Sequence, residues 1–364
     1  MASLTSAVDE NPDVYEDRFN TIVYNGVVAL GIGLGQRVGL FKALTDLSGP
    51  HTSQRIADNA GLHERYVREW LFSMVAAKVV FVTEDNKYFI PAECKTKTSK
   101  SLYATMLPAI APLTKDVEKC FRSKDPSSAG YDFSKLGEAF DFMNKDGDSY
   151  DGKWLEDNLL PAKYKSKDLF LFTSASVLLS DKIKTILDIG CGVGKLTASI
   201  ANYFPDAKVV GIDVDHYAIE TAIKLKEDKH LTNVEFYLLG ADNLKKEWTK
   251  GFDWIIMFRV FHDLPNPDPC LRESIRVMKD DGVMTFLDNL GHSNSKLNVG
   301  NKPLAATLMV SCYMCLPCSL SAPPAVGNGI GWGLENRATY IRENGLIIHD
   351  NELVECIHCY KATL

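Results

Sequence analysis

One glycine-rich loop constrains the fold of this 364-residue chain more than any other feature. It runs from Asp188 through Ile-Gly-Cys-Gly-Val to Gly194, after an apolar segment at Thr185–Ile189 and before an amphipathic stretch at Lys195–Tyr203. The first segment has the length of a buried strand, and the second is typical of a helix. Glycines let a loop backbone approach a ligand closely, and doubly wound sheets bind ligands at the carboxyl ends of their strands. The loop therefore predicts a ligand site between a strand and a helix.

Two common phosphate-binding loops do not fit this pattern. A P-loop would place glycine five residues before Gly194 and Ser or Thr after Lys195, where the sequence has Ile189 and Leu196. A dinucleotide-binding loop would place a third glycine three residues after Gly192, at the position of Lys195. Neither kind of phosphate loop is expected here.

Short apolar segments alternate with helical ones in the second half of the chain. They lie at 185–189, 208–212, 234–239, 254–258 and 283–287. This alternation predicts a parallel sheet covered by helices on both faces. Two further apolar runs, at 346–348 and 353–360, are joined by a short link that suits an antiparallel pair at the sheet edge. The expected fold class is α/β, with a Rossmann-like seven-stranded sheet.

The N-terminal region has the pattern of an α-helical winged-helix domain. Three helical segments follow residue 36, and apolar runs at 79–82 and 88–90 then bracket a polar turn. The third helical segment has one apolar face at helical spacing, formed by Val67, Trp70, Leu71, Met74 and Val75. Between residues 36 and 90, seven Lys or Arg stand against six Asp or Glu, so the module lacks the clustered basic face of a DNA-reading helix.

Composition indicates a globular protein whose net charge does not favour binding to nucleic acid or to an anionic membrane. Hydrophobic residues make up 46% of the chain and charged residues 24%, and the net charge is -7. The N-terminus is acidic before it becomes apolar, which is the reverse of a secretory signal. The apolar run 22–34 is too short for a membrane span, and we expect a buried helix there. Nine cysteines in such a chain predict reduced thiols and a cytoplasmic location.

The loop sequence Asp-x-Gly-x-Gly-x-Gly resembles the first motif of class I S-adenosylmethionine-dependent methyltransferases, in which it wraps the amino-acid end of the cofactor. Two further matches follow the next strands, at Asp213 and at Gly240–Asn243. The resemblance implies that Asp213 binds the ribose hydroxyls and that Asp242 meets the adenine amino group. The alternative for either aspartate alone is a helix cap.

The resemblance assigns to S-adenosylmethionine a set of residues at the ends of four successive strands. They are Asp188, Gly190, Cys191, Gly192, Gly194, Asp213, Val214, Ala241, Asp242, Asn243, Phe258 and Arg259.

The candidate catalytic residue is His262, which follows the fourth strand. The His262-Asp263 pair resembles the equivalent segment of winged-helix O-methyltransferases, where a histidine takes the proton of the acceptor hydroxyl. Methyl transfer needs a nucleophile in line with the methyl group, and a hydroxyl or thiol becomes competent when it loses its proton. Histidine titrates near neutral pH, and such a base contributes about 10²–10⁴-fold. The alternative is a histidine that only bonds backbone at the turn.

The resemblance also implies a pocket for a small-molecule acceptor with a hydroxyl or thiol. An aromatic, dry site favours the reaction because the positive sulfonium becomes neutral as the methyl group leaves. The candidate lining residues are Phe140, Trp154, His262, Met309, Tyr313 and Trp332. The alternative for each aromatic residue is an ordinary place in the core.

Two groups of cysteines have spacings that zinc sites use. They are Cys312-x2-Cys315-x2-Cys318 and Cys356-x2-Cys359. The first group lies among Met and Leu, where cysteine behaves as a small hydrophobe, and the second would place its thiols on opposite faces of a strand. We therefore expect no metal.

The resemblance divides the chain into three regions. Residues 1–95 are expected to form a winged-helix dimerisation domain, 96–180 a helical connector that caps the pocket, and 181–364 the S-adenosylmethionine-binding methyltransferase domain. Residues 291–335 form an insert expected to act as a substrate lid. The expected partners are a small-molecule acceptor and a second copy of the chain, without nucleic acid or membrane. The alternative is a DNA-binding regulator with a degenerate methyltransferase fold.

Overall fold

A computed structural model describes residues 11–97, 102–136, 150–161, 183–288, 291–348 and 356–361. The chain divides into two compact units. The first comprises residues 1–113 and 133–147, and the second comprises residues 114–132 and 148–364. Each unit has its own hydrophobic core.

The first unit contains the predicted three helices and wing, preceded by a long helix. Its elements are α1 (Pro12–Arg37), α2 (Leu40–Asp46), α3 (Ser53–Ala60), α4 (Glu64–Ala76), β1 (Phe81–Val82), β2 (Tyr88–Phe89) and α5 (Leu102–Ile110). Strands β1 and β2 pair antiparallel and form the wing. The apolar stripe predicted on the third helical segment faces inward, because Val67, Trp70, Leu71 and Met74 are all buried in this unit's core. The winged-helix prediction is confirmed.

The prediction of a buried helix over residues 22–34 is wrong. Helix α1 is longer, and most of its large apolar side chains are exposed, including Ile22 (66%) and Val27 (65%). Only its glycine-bearing side packs closely: Trp70 Nε1 donates to the Gly31 carbonyl at 2.8 Å, and a Cβ on Gly35 would lie 2.4 Å from the Trp70 ring. The exposed large side chains lie on the side that none of the described residues covers.

No single described helix is long and apolar enough to cross a membrane. Helices α1 and α2 meet the length and composition test only as a pair, and that pair is bent by 67°.

The second unit alternates strands and helices around one sheet. Its helices are α6 (Thr114–Arg122), α7 (Gly152–Asn158), α8 (Lys195–Tyr203), α9 (His216–Asp228), α10 (Pro267–Val277), α11 (Lys302–Tyr313), α12 (Cys315–Ser319) and α13 (Gly333–Glu343). Its strands are β3 (Thr185–Ile189), β4 (Lys208–Asp213), β5 (Val234–Leu238), β6 (Phe252–Phe258), β7 (Met278–Leu287), β8 (Leu346–Ile348) and β9 (Cys356–Lys361).

These strands form a seven-stranded sheet in the order β5-β4-β3-β6-β7-β9-β8. The five strands β3 to β7 are parallel, and β9 runs antiparallel to both β7 and β8. The predicted α/β class and seven-stranded sheet with an antiparallel edge pair are confirmed. Residues 353–355 of the predicted last strand lie outside the described residues.

Alternation along the strands divides the core of this unit between the two faces of the sheet. In β6, Trp254 and Ile256 belong to one cluster, whereas Ile255 and Met257 belong to the other. Successive side chains of a strand point to opposite faces, so a strand buried on both faces is apolar throughout. Because β3 to β7 are parallel, their carboxyl ends lie at one edge of the sheet, where the predicted ligand residues also lie.

The insert after β7 is attached to the turn that follows β6. The backbone N–H of Gly329 donates to the His262 carbonyl at 3.0 Å, and that of Val326 donates to the Pro265 carbonyl at 3.2 Å. The Ser319 hydroxyl donates to the Leu264 carbonyl at 3.3 Å. These three bonds hold α12 and the segment after it against the turn that carries His262.

Candidate active site

The glycine loop after β3 is attached to the end of β4. The backbone N–H groups of Gly190 and Cys191 both donate to the Ile212 carbonyl, at 2.8 and 3.0 Å. Gly190 has φ +73°, and a Cβ built there would lie 2.5 Å from Val260. Both the left-handed backbone and the close approach of the turn after β6 require glycine at this position.

Asp213, at the end of β4, joins the loop from the other side. Its Oδ2 accepts the Gly192 backbone N–H and its Oδ1 accepts the Asp215 backbone N–H, both at 2.9 Å. Gly192 has φ +51°, and no heavy atom lies within 4 Å of the position that its Cβ would take. The loop therefore presents an open surface directly beside a carboxylate held by two backbone donors.

Asp188 is the buried acid at the start of the loop, with only 1% of its surface exposed. Its Oδ2 accepts a 2.6 Å hydrogen bond from the Thr197 hydroxyl of α8, and its Oδ1 has no partner among the described residues. Burial raises the pKa of Asp188 to about 7; the Thr197 bond opposes this and the Asp213 charge adds to it. Asp188 therefore differs from a surface carboxylate, because it keeps its proton up to a higher pH.

The remaining predicted cofactor residues also lie at the carboxyl edge of the sheet. Val214, Asp242, Asn243 and Arg259 are exposed, whereas Cys191, Ala241 and Phe258 are half-buried, and Gly194 caps the start of α8 in the left-handed conformation. Burial raises the pKa of the Cys191 thiol. The guanidinium of Arg259 lies 5.1 Å from the centre of the Phe258 ring. The Asp242 carboxylate lies over Gly240, where a Cβ would approach its Oδ1 to 2.5 Å.

His262 lies in a short 3-10 helix, Phe261–Asp263, directly after β6. Its Nδ1 donates to Oδ2 of Asp288 at 2.7 Å, and both side chains are 3% exposed. Asp288 follows β7, the strand beside β6. Asp288 was not among the predicted site residues, although an acid directly after an apolar strand at the same edge is a signal that could have found it.

A second acid and one base complete the surroundings of His262. Its Nε2 lies 3.1 Å from Oδ1 of Asp263, but the described residues give neither atom a hydrogen-bond partner of suitable geometry. The buried Arg337 of α13 places its guanidinium 3.2 Å from Oδ2 of Asp288. Burial lowers the pKa of His262, but the neighbouring carboxylates of Asp288 and Asp263 outweigh burial and raise it well above its ordinary value.

The predicted pocket residues are not all brought together. Trp154 packs with Tyr150 and Phe258 in the cluster on one face of the sheet. Trp332 packs with Phe261 and Tyr340 in the cluster on the opposite face. Ordinary core packing thus accounts for much of the surface of both tryptophans.

Two other pocket candidates lie in the insert, and one lies outside the described residues. Met309 is 52% exposed on α11, and Tyr313 ends the same helix, where its carbonyl accepts the Tyr131 hydroxyl. Phe140 lies outside the described residues.

One cysteine of the 312–318 group lies beside the candidate catalytic histidine. Nε2 of His262, an Asp263 carboxylate oxygen and Sγ of Cys315 all lie within 4.8 Å of one another. These cysteines were expected to be packing residues because they lie in Met- and Leu-rich sequence. The structure places Cys315 beside a histidine that is distant along the chain.

Two known families match parts of the chain. Residues 180–311 match the family described as Methyltransferase domain, and residues 26–98 match the Rv2258c-like winged HTH domain. A malonyl-[acyl-carrier protein] O-methyltransferase of Acetivibrio thermocellus is 33% identical over 110 residues. That alignment covers 29% of this chain and 36% of the relative's length.

Solved structures match the chain over almost its whole length. The mitomycin 7-O-methyltransferase MmcR has 18% identity and a TM-score of 0.64, over 96% of this chain and 98% of that one. Human N-acetylserotonin methyltransferase, solved with S-adenosylmethionine, has 16% identity and a TM-score of 0.60, over 98% of this chain and 99% of that one. At these identities the likeness establishes the fold. The chain thus combines a region that matches a winged HTH domain with a region that matches a methyltransferase domain.

Proposed function

We propose that this protein transfers a methyl group from S-adenosylmethionine to a hydroxyl or thiol of a small molecule. The observation that carries the proposal is the open loop beside Asp213, at the same sheet edge as the buried His262–Asp288 pair. The loop beside Asp213 has room for a cofactor, and the His262–Asp288 pair has the groups that proton transfer requires.

Asp213 is suited to the cofactor's ribose. Each of its carboxylate oxygens accepts one backbone N–H, and an ionised carboxylate oxygen has a further lone pair for a hydroxyl donor. Because the two backbone bonds fix the carboxylate, binding costs little further side-chain entropy. The open surface over Gly192 leaves room for the cofactor's amino-acid end, and the exposed Asp242 and Asn243 are available to its adenine.

We assign His262 to the acceptor's proton. When Nδ1 carries the hydrogen donated to Asp288, the neutral imidazole has an Nε2 lone pair that can accept a proton. Because the neighbouring carboxylates raise the pKa of His262, this neutral form becomes more populated as pH rises. The two neighbouring carboxylates stabilise the imidazolium formed, in the manner of the aspartate in a catalytic triad. The acceptor's heteroatom then forms its bond to the methyl carbon as the bond from carbon to the sulfonium breaks.

A small-molecule acceptor is supported by the names of the similar proteins and by the insert. Those names specify methyl transfer to small compounds or to a carrier-bound malonyl group. We propose that the insert 291–335 covers the acceptor, with Met309 and Tyr313 on its helix α11, because its hydrogen bonds to the turn after β6 place it beside His262. Trp154, Trp332 and Phe140 remain candidates for the lining.

We also propose that the protein is a cytoplasmic homodimer that uses residues 1–95 for dimerisation. The apolar side of α1 supports the dimer because the described residues leave it exposed. The odd count of nine cysteines supports a reducing compartment.

The alternative of a DNA-binding regulator is not favoured. Helix α4 holds the position of a recognition helix, but its arginines are paired with glutamates one turn away. Arg65 lies 2.6 Å from Glu69, and Arg68 lies 3.3 Å from Glu64. Paired arginines offer little net charge to phosphate.

The test is calorimetric titration of the full chain with S-adenosylmethionine and S-adenosylhomocysteine. We expect the wild type to bind both ligands and Asp213→Ala to lose or sharply weaken binding. Asp206→Ala is the matched control, since Asp206 is an exposed aspartate just before β4, at the opposite edge of the sheet. A wild type that binds neither ligand would refute the proposal.

A further inference from the structure

Three atoms that can bind a metal converge beside the candidate catalytic histidine. They are Nε2 of His262, a carboxylate oxygen of Asp263 and Sγ of Cys315, which lie within 4.8 Å of one another. Nε2 of His262 and Oδ1 of Asp263 are buried and lack a hydrogen-bond partner in the described chain, although they lie only 3.1 Å apart. Burying polar atoms without a partner is costly, so these two atoms call for a ligand that both can bind.

The surrounding contacts fix the orientation of these groups. Asp288 accepts the hydrogen of His262 Nδ1 at 2.7 Å, which leaves Nε2 as the nitrogen that can bind a metal beside Asp263 and Cys315. Histidines that bind metals almost always donate their other ring N–H to a carboxylate or carbonyl in this way. The bonds from Gly329 to the His262 carbonyl and from Ser319 to the Leu264 carbonyl hold α12, and with it Cys315, against the histidine.

We propose that His262, Asp263 and Cys315 form a Zn²⁺ site with one open position. One imidazole, one carboxylate and one thiolate are a donor set that zinc accepts, and catalytic zinc sites have three protein ligands and a free fourth position. In a tetrahedral site with Zn–N and Zn–O bonds of about 2.1 Å, nitrogen and oxygen lie about 3.4 Å apart. The 3.1 Å between Nε2 and Oδ1 is close to this spacing.

The charges are also compatible with a divalent ion. The Asp263 carboxylate and a Cys315 thiolate together balance its two positive charges, and Arg337 balances Asp288 at 3.2 Å. The expectation from sequence that these cysteines bind no metal rested on their spacing and on the Met- and Leu-rich sequence around the first group. The structure brings Cys315 to two ligands from the turn after β6, 52 to 53 positions away along the chain.

The role of the metal, unlike its binding, rests on the proposed methyl transfer. Held by His262, Asp263 and Cys315, the ion would act as a Lewis acid that lowers the pKa of an acceptor hydroxyl or thiol at its open position. Nε2 would then hold the metal, and the base role proposed above for His262 would belong to the metal-free protein.

The test measures metal binding to the full chain without any assay of activity. Metal-free wild type, Asp263→Asn, Cys315→Ser and Cys312→Ser are kept reduced and titrated with Zn²⁺ by calorimetry and with Co²⁺ by absorption spectroscopy. We expect one ion per wild-type chain and a thiolate-to-cobalt charge-transfer band, with the band lost in Cys315→Ser. Cys312 precedes the site by three residues and is not one of its ligands, so Cys312→Ser is the matched control and should bind as the wild type does.

Three results would overturn the zinc site: no binding to the wild type, undiminished binding to Cys315→Ser, or a cobalt spectrum without a thiolate band. If Cys315→Ser fails to fold by circular dichroism, Asp263→Asn carries the test, because the Asp263 side chain is 29% exposed. Asp288→Asn should weaken Zn²⁺ binding by about 10–100-fold without changing its stoichiometry. Titration with S-adenosylmethionine on the same samples reports separately on the proposed function.

Discussion

The carboxylate of Asp288 lies 2.7 Å from Nδ1 of His262, and both side chains are 3% exposed. The two residues follow neighbouring parallel strands, β6 and β7, so the sheet itself sets their separation. A buried carboxylate in this position fixes both the orientation of the imidazole and the nitrogen that carries its hydrogen. Asp288 is therefore a positioning residue for whatever His262 binds or deprotonates.

We predict that Asp288→Asn lowers kcat by about 10²-fold or more while S-adenosylmethionine binds with unchanged affinity. An amide can donate to Nδ1, which would place the hydrogen on Nε2 and remove the lone pair that the acceptor or a metal needs. Steady-state kinetics and calorimetry on the same samples separate the two effects. Asp280→Asn, on the exposed part of β7, is the control and should have wild-type kcat. Wild-type turnover by Asp288→Asn would contradict the assignment of His262.

Two glycines of the same loop are predicted to respond differently to alanine. At Gly190 a Cβ would lie 2.5 Å from Val260, so Gly190→Ala should lower the free energy of unfolding by about 2 kcal/mol or more. At Gly192 the position of a Cβ is open, so Gly192→Ala should cost only about 1–2 kcal/mol of backbone strain. Its methyl group would enter the proposed cofactor surface, and affinity for S-adenosylmethionine should fall by about tenfold or more.

Urea unfolding and calorimetry check both parts of this glycine prediction. Equal stability of the two variants would contradict the steric argument. Wild-type affinity in Gly192→Ala would place the cofactor elsewhere than over Gly192.

The buried carboxyl of Asp188 predicts a pH-dependent stability. Its pKa is about 7 in the folded protein and about 3.9 in an unfolded chain, so the folded state binds the proton more tightly. The contribution of this carboxyl to the free energy of unfolding is fully present at low pH. It is lost as pH rises from about 4 to about 7, by about 4 kcal/mol in total. Asp188→Asn has no such proton to lose.

We therefore expect the free energy of unfolding to fall less between pH 5 and pH 8 in Asp188→Asn than in the wild type. Urea denaturation at the two pH values measures that difference. Asp206→Asn, at an exposed aspartate, should retain the wild-type dependence. An identical pH dependence in all three proteins would show that Asp188 ionises as an ordinary surface acid does.

Local signals were sufficient for the parts of the fold that local interactions determine. Strand β3 and helix α8 begin and end where the sequence predicts, because an apolar run, a glycine loop and Gly194 mark their limits. Strand β7 begins at Met278 instead of residue 283, since pairing of Met278 with Phe252 extends it through polar residues. A pattern of hydrophobic residues cannot predict such an extension, because the added residues are polar.

The contacts of His262 with Asp288 and Cys315 did not follow from local patterns, because these two residues are distant from it along the chain. Asp288 and Cys315 follow different elements, and their proximity depends on the order of strands and on how the insert folds back. The exposed face of α1 was mistaken for a core face for a related reason: an apolar stripe shows that something covers it, but not whether the cover belongs to the same chain.

That face of α1 gives the last prediction, which concerns the proposed homodimer. Phe19, Val23, Val27, Leu30 and Leu34 recur at helical spacing and are exposed. Size-exclusion chromatography with light scattering should give a dimer for the wild type and a monomer for the double variant Val23→Glu/Val27→Glu. The monomer should remain folded, because neither valine is buried within its own chain.

Tyr66→Glu is the matched control for the dimer, since Tyr66 is a large apolar residue of the same unit and is 80% exposed on α4. It should remain a dimer. Two charges placed in an apolar interface lose their hydration without gaining a partner, whereas one charge on a solvated surface loses nothing. A monomeric wild type, or a double variant that stays dimeric, would show that α1 does not carry the dimer contact.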